Sequence, residues 1–270
     1  MLRTENIQYT IGKNQILKNI SAEFRPGELN MILGPNGSGK STFLKIFSGE
    51  LEKYTGNVFY QEKELAAIKK EELARQRAVM SQAPELNFPL TVEEVVMMGR
   101  YPHFTFNPGK KDDAICNEVM VRMNLLAFKE RNYLTLSGGE KQRVQFARVL
   151  AQVWEKSPAG ARYLFLDEPL TSLDINYQQE FLQITREFAK AGTVVVVVIH
   201  DINLAVQYAD KLIFLKDGAI AAQGNPAAIL TEALVEKVFG VKASILLHPA
   251  SGTPLVVYNP VQASGSAPAG

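Results

Sequence analysis

Leu33-Gly34-Pro35-Asn36-Gly37-Ser38-Gly39-Lys40-Ser41-Thr42 is the stretch from which the fold follows. It fits the phosphate-loop pattern G-x-x-x-x-G-K-[ST]. The apolar run Leu29 to Leu33 before it reads as a buried strand. Phe43, Leu44, Ile46 and Phe47 follow at helical spacing, so the loop opens a helix. Glycines let the backbone curl so that its N–H groups face an anion, and the helix N-terminus adds partial positive charge. In such a loop Lys40 reaches the β- and γ-phosphates and Ser41 offers its hydroxyl to Mg²⁺.

Outward from the loop, residues 1 to 33 read as strands: Thr4 to Ile11, a turn at Gly12-Lys13-Asn14, then Gln15 to Phe24. Gly56 to Tyr60 and Ala78 to Ser81 are short strands on either side of a charged helical stretch, Lys69 to Gln76. The pattern then turns helical. Thr91-Val92-Glu93-Glu94 fits a capping box, with Gly99 expected to close that helix. Tyr101 to His103 and Asn107 to Gly109 are expected loop, and Asp112 to Met123 is amphipathic. Tyr163 to Leu166 and Thr193 to Ile199 are nearly all apolar, as parallel strands covered on both faces are, and helices at Tyr177 to Ala189 and Ile202 to Ala209 alternate with them. Lys216-Asp217-Gly218 reads as a hairpin turn. A last helix spans Thr231 to Phe239, capped by Thr231 and stopped by Gly240. Residues 261–270 are small-residue, low-complexity sequence, expected to be disordered.

Composition narrows the class. The chain has 270 residues, 46% of them hydrophobic, enough for a sizeable core. Its formal net charge of +1 argues against an electrostatic nucleic-acid binder. Val194 to Ile199 is too short an apolar run to cross a bilayer, and the first residues carry no apolar signal core. One cysteine, Cys116, excludes an internal disulfide framework, and three histidines leave little for a metal cluster. A reducing, cytoplasmic setting is the expectation.

Further motifs share the chemistry of the loop. Tyr163 to Leu166 ends in Asp167-Glu168-Pro169, which puts two acids at a strand's carboxyl edge, where α/β sheets bind ligands. Asp167 suits Mg²⁺, and Glu168 suits polarising a water for attack on a γ-phosphate. Leu136-Ser137-Gly138-Gly139-Glu140 precedes a long helix, Lys141 to Trp154. Ser137 and Glu140 form an S-x-x-E capping box. Capping leaves the two glycines unexplained, since glycine weakens a helix; a second anion site would explain them.

Taken in order, Gly34 to Thr42, Gln82, Leu136 to Glu140, Leu166 to Pro169, Ser172-Leu173-Asp174 and His200 resemble the Walker A loop, Q-loop, signature, Walker B, D-loop and H-loop of an ABC transporter ATPase. The resemblance covers about residues 1 to 240. It implies an α/β P-loop NTPase (RecA-like) core with an antiparallel β subdomain (1–87 and 159–240), an inserted helical subdomain (88–158), and a C-terminal extension (241–270). The cofactors it implies are ATP and Mg²⁺. Gly34, Pro35, Asn36, Gly37, Ser38, Gly39, Lys40, Ser41 and Thr42 would hold phosphates; Ser41, Gln82 and Asp167 would serve the metal; Glu168 would be the general base; His200 would contact the γ-phosphate. The family's adenine-stacking aromatic falls near Ile11, and Tyr9, on the same strand face, is the candidate substitute, with ordinary strand packing as its plain alternative.

A homodimer is implied as well, in which Ser137, Gly138, Gly139, Glu140 and Asp174 complete the site of a second copy. Glu140 stands where the family usually has Gln. Val95 to His103 resembles the G-R-x-P-H segment of importers for iron-siderophores, haem and vitamin B12. Ala147 to Trp154, with the insertion through Ala161, and the segment Gln223 to Gly240 point within that group to haem import. The implied partners are two integral membrane permease subunits, received near residues 82–103, and, indirectly, a periplasmic or surface haem-binding protein; the location is the cytoplasmic face of the inner membrane. Siderophore or cobalamin import is the alternative cargo, and a soluble ABC protein or a P-loop kinase the remote ones. Tyr101, His103 and His248 are not expected to ligate haem, because exposed loop residues lack the supporting shell a ligand needs.

Overall fold

A computed structural model describes residues 1–81, 86–155 and 160–259. Strands β1 (Leu2–Ile11) and β2 (Asn14–Phe24) form a hairpin. β3 (Leu29–Leu33) runs into the glycine-rich loop and helix α1 (Lys40–Phe47). β4 (Thr55–Tyr60) and β5 (Lys63–Glu64) complete a four-stranded antiparallel sheet in the order β2-β1-β4-β5. Next come α2 (Lys70–Gln76), β6 (Arg77–Met80), α3 (Val92–Met97), α4 (Lys110–Arg122) and α5 (Gly138–Gln152). β7 (Arg162–Asp167), α6 (Ile175–Lys190), β8 (Thr193–Val198), α7 (Ile202–Tyr208), β9 (Lys211–Lys216) and β10 (Ala219–Gly224) return the chain to the main sheet. Short α8 (Pro226–Ile229) and α9 (Glu232–Phe239) precede a hairpin of β11 (Ala243–Leu247) and β12 (Pro254–Tyr258).

The main sheet has six strands in the order β10-β9-β3-β8-β7-β6. β9, β3, β8, β7 and β6 are parallel, and β10 is antiparallel to β9. Every residue of β3, β7 and β8 is buried, for a reason visible in their alternation. Met31, Leu33, Leu164, Leu166, Val195 and Val197 point into one apolar cluster with the helices α3 to α7. Ile32, Tyr163, Phe165, Val194, Val196 and Val198 point into a second, with α1 and the antiparallel sheet. A strand covered on both faces gains from being apolar throughout. The second cluster is aromatic at its centre, where Phe24, Phe43, Phe47 and Phe165 meet with ring centroids 5.0 to 6.4 Å apart.

Local signals act where the sequence puts them. Thr91 caps α3 in a capping box with Glu94, Thr231 caps α9, and Gly240 ends it in the left-handed region at φ +72°. Two readings need correction. Gly99 does not close a helix: α3 continues as a 3₁₀ turn, Met98–His103, which takes in the expected loop Tyr101 to His103. A Cβ at Gly99 would lie 2.0 Å from the carbonyl oxygen of Arg148, so glycine is there for the close approach of α5. Arg100 pins the turn. It is 2% exposed, and it donates to Asp112 Oδ1 at 2.9 Å, the Ala151 carbonyl at 2.8 Å and Glu155 Oε2 at 3.0 Å. The extension from 241 contains β11 and β12, held to α7 by Asn203, whose amide bonds both the N–H and the carbonyl of Val256 at 2.8 and 3.1 Å. No helix among the described residues is long and apolar enough to cross a membrane.

Candidate functional site

Because β3, β6, β7 and β8 are parallel neighbours, their carboxyl ends share one edge. The loop of residues 34–39 leaves β3 there, Asp167 and Glu168 end β7, and His200 follows β8. Topology thus gathers residues that are far apart in the chain.

The loop is held by contacts only glycine permits. Gly34 has φ +156°, and a Cβ there would lie 2.1 Å from the Leu215 carbonyl oxygen; Gly39 has φ +98°, with Leu17 Cδ2 at 2.5 Å from its would-be Cβ. Gly39 is the N-cap of α1, and no side chain caps that helix. Lys40 is 5% exposed, and its Nζ donates to the carbonyls of Gly34 at 2.9 Å and Pro35 at 3.0 Å, so it arches over the loop. Burial lowers its pKa, opposed by the nearby carboxylates of Glu168 and Asp167. Ser38 is 2% exposed, and its buried hydroxyl has no protein partner among the described residues. An uncapped helix start, a buried cation and an orphaned hydroxyl are together what a polyphosphate satisfies.

Ser41 Oγ donates to Asp167 Oδ1 at 3.0 Å. Burial raises the pKa of Asp167, the Ser41 hydrogen bond acts against this, and the charge of Glu168 adds to the rise. A serine hydroxyl beside a carboxylate is a hard-oxygen pair of the sort Mg²⁺ takes alongside waters and phosphate oxygens. Among the described residues no group of three or more His, Cys, Asp or Glu could hold a metal by itself. Gln82 lies outside the described residues.

Glu168 has φ +50°, a sparsely populated conformation for a residue with a Cβ. Its N–H bonds the Val198 carbonyl at 3.1 Å, and its Oε1 lies 2.6 Å from His200 Nε2. The backbone is therefore turned so that the carboxylate meets the histidine of the next strand. Tyr9 pairs with Leu17 across the β1–β2 ladder and packs, half-buried, against the aromatic cluster, while Ile11 is 58% exposed. Packing against this cluster accounts for the Tyr9 side chain as the structure stands.

The signature residues are built differently. Ser137 Oγ accepts from Glu140 N at 3.3 Å, and Glu140 Oε2 accepts from Ser137 N at 2.7 Å, closing the capping box of α5. A Cβ at Gly139 would lie 3.2 Å from the Ser172 carbonyl oxygen, whereas at Gly138 the nearest atom is 3.8 Å away. One glycine thus answers to the close approach of residues 172–174. Asp174 caps α6, its Oδ1 accepting from Tyr177 N at 3.0 Å. Ser137, Gly139 and Asp174 line a cavity of about 440 Å³ that includes no residue of the loop 34–42. Within one chain the structure joins Lys40, Ser41, Asp167, Glu168 and His200, and leaves Ser137, Gly139, Glu140 and Asp174 around a separate cavity, while Gly138 lines another cavity together with Asp167 and Glu168. Sequence reasoning missed Gln142, whose amide nitrogen donates to the Pro169 carbonyl while its oxygen accepts from Ser172 N at 3.2 Å. Its signal was its place three residues beyond Gly139, one turn along the same helix.

His103 and His248 have structural partners. The His103 ring lies 2.8 Å from the Gln152 carbonyl, and His248 Nδ1 accepts from the N–H groups of Ala250 and Ser251.

Known proteins resemble this chain along most of its length. The profile of the ABC transporter family matches residues 17–171. The chain is 45% identical over 257 residues to a hemin import ATP-binding protein HmuV of Gloeobacter violaceus, covering 95% of this chain and 94% of that one. It is 42% identical to the protein of the same name from Methylobacillus flagellatus, over 95% of each. Among solved structures, an inward-facing ABC transporter of metal-chelate type superposes with a TM-score of 0.79 at 24% identity, over 96% of both chains. A dimeric bacterial ABC transporter cassette does so at 0.71 and 29%, over 83% of this chain and 98% of that one.

Proposed function

The chain belongs to the ABC transporter family, and we propose that it is the ATP-hydrolysing subunit of an importer whose cargo is haem. One observation carries the enzymatic reading: phosphate loop, acid pair and histidine share one sheet edge, while Ser137, Gly139 and Glu140 of the signature line a cavity that includes none of these residues. Full-length similarity to hemin import ATP-binding proteins supports the cargo.

In this reading the loop amides of 34–42 and Lys40 bind the phosphates of ATP. Glu168 accepts the proton of a water that attacks the γ-phosphorus; the new O–P bond forms as the bridging P–O bond to ADP breaks. His200, hydrogen-bonded to Glu168, orients that carboxylate and contacts the γ-phosphate. Ser41 and Asp167, with Gln82 as a further candidate, would hold Mg²⁺, which would supply positive charge to neutralise the phosphates. Tyr9 is the candidate to stack on adenine. Ser137 and Gly139 of a second copy complete the site, and Asp174 sits at the boundary between the copies. The dimer drives two permease subunits at the cytoplasmic face of the inner membrane, fed by a periplasmic or surface haem-binding protein.

The test is reconstitution with the membrane subunit from the same source. Hydrolysis is expected to rise with haem-loaded binding protein and to fall about a hundredfold or more in Glu168→Gln with ATP still bound. Stimulation by a siderophore or cobalamin carrier instead would overturn the cargo; full turnover by Glu168→Gln would remove the base.

A further inference from the structure

Beside the signature lies a buried cation to which no role has been given. Arg143, on the second turn of α5, is 6% exposed. Its Nη2 donates to the carbonyls of Met123 at 3.2 Å and Asn124 at 2.8 Å, where α4 ends. Its Nε has no protein partner among the described residues. Its guanidinium carbon lies 4.5 Å from the ring centroid of Tyr177, in the first turn of α6. Both residues line the cavity that holds Ser137, Gly139 and Asp174.

We propose that Tyr177 is a positioning residue for the composite site: its ring, stacked on Arg143, locks the signature end of α5 to the Asp174 end of α6, so that both are presented to a second copy as one rigid surface. This rests on the dimeric reading above. The physical grounds are three. A guanidinium removed from water and hydrogen-bonded only to neutral carbonyls gains from an aromatic face. Tyr177 can act on Asp174 directly, because its own N–H bonds the Asp174 carboxylate. Gln142, the residue before Arg143, ties Pro169 and Ser172 from the other side. Two adjacent side chains of α5 therefore grip residues 169–177 at both ends. Packing of α6 does not require an aromatic ring here, since Tyr177 is 37% exposed.

The test uses the full-length protein with Tyr177→Phe, which keeps the ring, and Tyr177→Leu, which keeps bulk without it. Specific ATPase activity is measured against protein concentration, together with ATP affinity of the dilute protein and thermal stability. Tyr177→Leu should need about threefold to tenfold more protein for half-maximal specific activity. Its ATP affinity should be unchanged, its melting temperature should fall by no more than a few degrees, the scale of one lost cation–π contact, and Tyr177→Phe should match wild type. The proposal is overturned if Tyr177→Leu matches wild type, if Tyr177→Phe falls with it, or if ATP affinity falls in step with turnover. Ser137→Arg run in parallel separates the two readings. Normal turnover there removes the composite site itself; lost turnover there with a normal Tyr177→Leu removes only the role of Tyr177.

Discussion

Two glycine-rich helix starts in this molecule look alike in sequence and are built in opposite ways. At α1 the cap is Gly39 in the left-handed region, no side chain closes the helix, and Lys40 is buried over the loop. At α5 Ser137 and Glu140 close the first turn by a reciprocal capping box, and Gly139 makes room for the Ser172 carbonyl. A helix start leaves N–H groups without intrahelical partners. The first leaves them without a side-chain cap; the second satisfies part of the set itself and uses its glycine for the approach of a neighbouring segment. The difference teaches that glycines at a helix start do not by themselves mark an anion site: their neighbours decide.

The largest expected effect breaks the first of the two. Lys40→Ala removes the buried cation, and hydrolysis should fall about a thousandfold, the scale of losing a preorganised charge at the phosphates, with ATP affinity falling in an equilibrium titration. Retained affinity would mean that the loop amides suffice. Next comes Ser137→Arg, which fills the space before α5. Turnover should drop about a hundredfold while ATP binding to the isolated chain is untouched, because the cavity that Ser137 lines includes no residue of the loop 34–42. Loss of binding in that variant would show that they form one site within a single chain.

The smallest effect concerns stability. Burial raises the pKa of Asp167, so its folded form favours the protonated acid. That contribution is fully present below the ordinary carboxyl range and is lost as pH rises through the raised value, leaving a buried charge as a cost at about pH 7. Asp167→Asn keeps an acceptor for Ser41 and removes the charge. Nucleotide-free Asp167→Asn should therefore melt a few degrees higher at about pH 7, an effect of about 1 kcal/mol, and the gap should close as pH falls toward the carboxyl range. A lower melting temperature at neutral pH would show that Lys40 already compensates the charge.

Motifs whose meaning is carried within a few residues were legible in the sequence. The strand, loop and helix around Gly34 to Thr42, the apolar strands ending at Asp167 and preceding His200, and the caps at Thr91, Ser137 and Thr231 all declare themselves through periodicity or a spacing of three. Gly99 did not, because the cause of that glycine is the carbonyl of Arg148 on another helix. Gln142 and Arg143 fell inside the expected helix Lys141 to Trp154 with no role of their own until the segments they grip were in place. The hairpin of β11 and β12 escaped because its anchor is Asn203, far back in the chain.

The sequence by itself determined the phosphate-loop motif at Gly34 to Thr42, since such a loop needs only local backbone freedom, a lysine and a following helix. Only the tertiary structure decided which residues stand together there. Parallel strand order brings Ser41 to Asp167 and Glu168 to His200, while the approach of residues 172–174 to α5 gives Gly139 its reason and sets Ser137 apart from the loop. Distance along the chain carries no information about such contacts; they exist only once the sheet has fixed which strand ends meet.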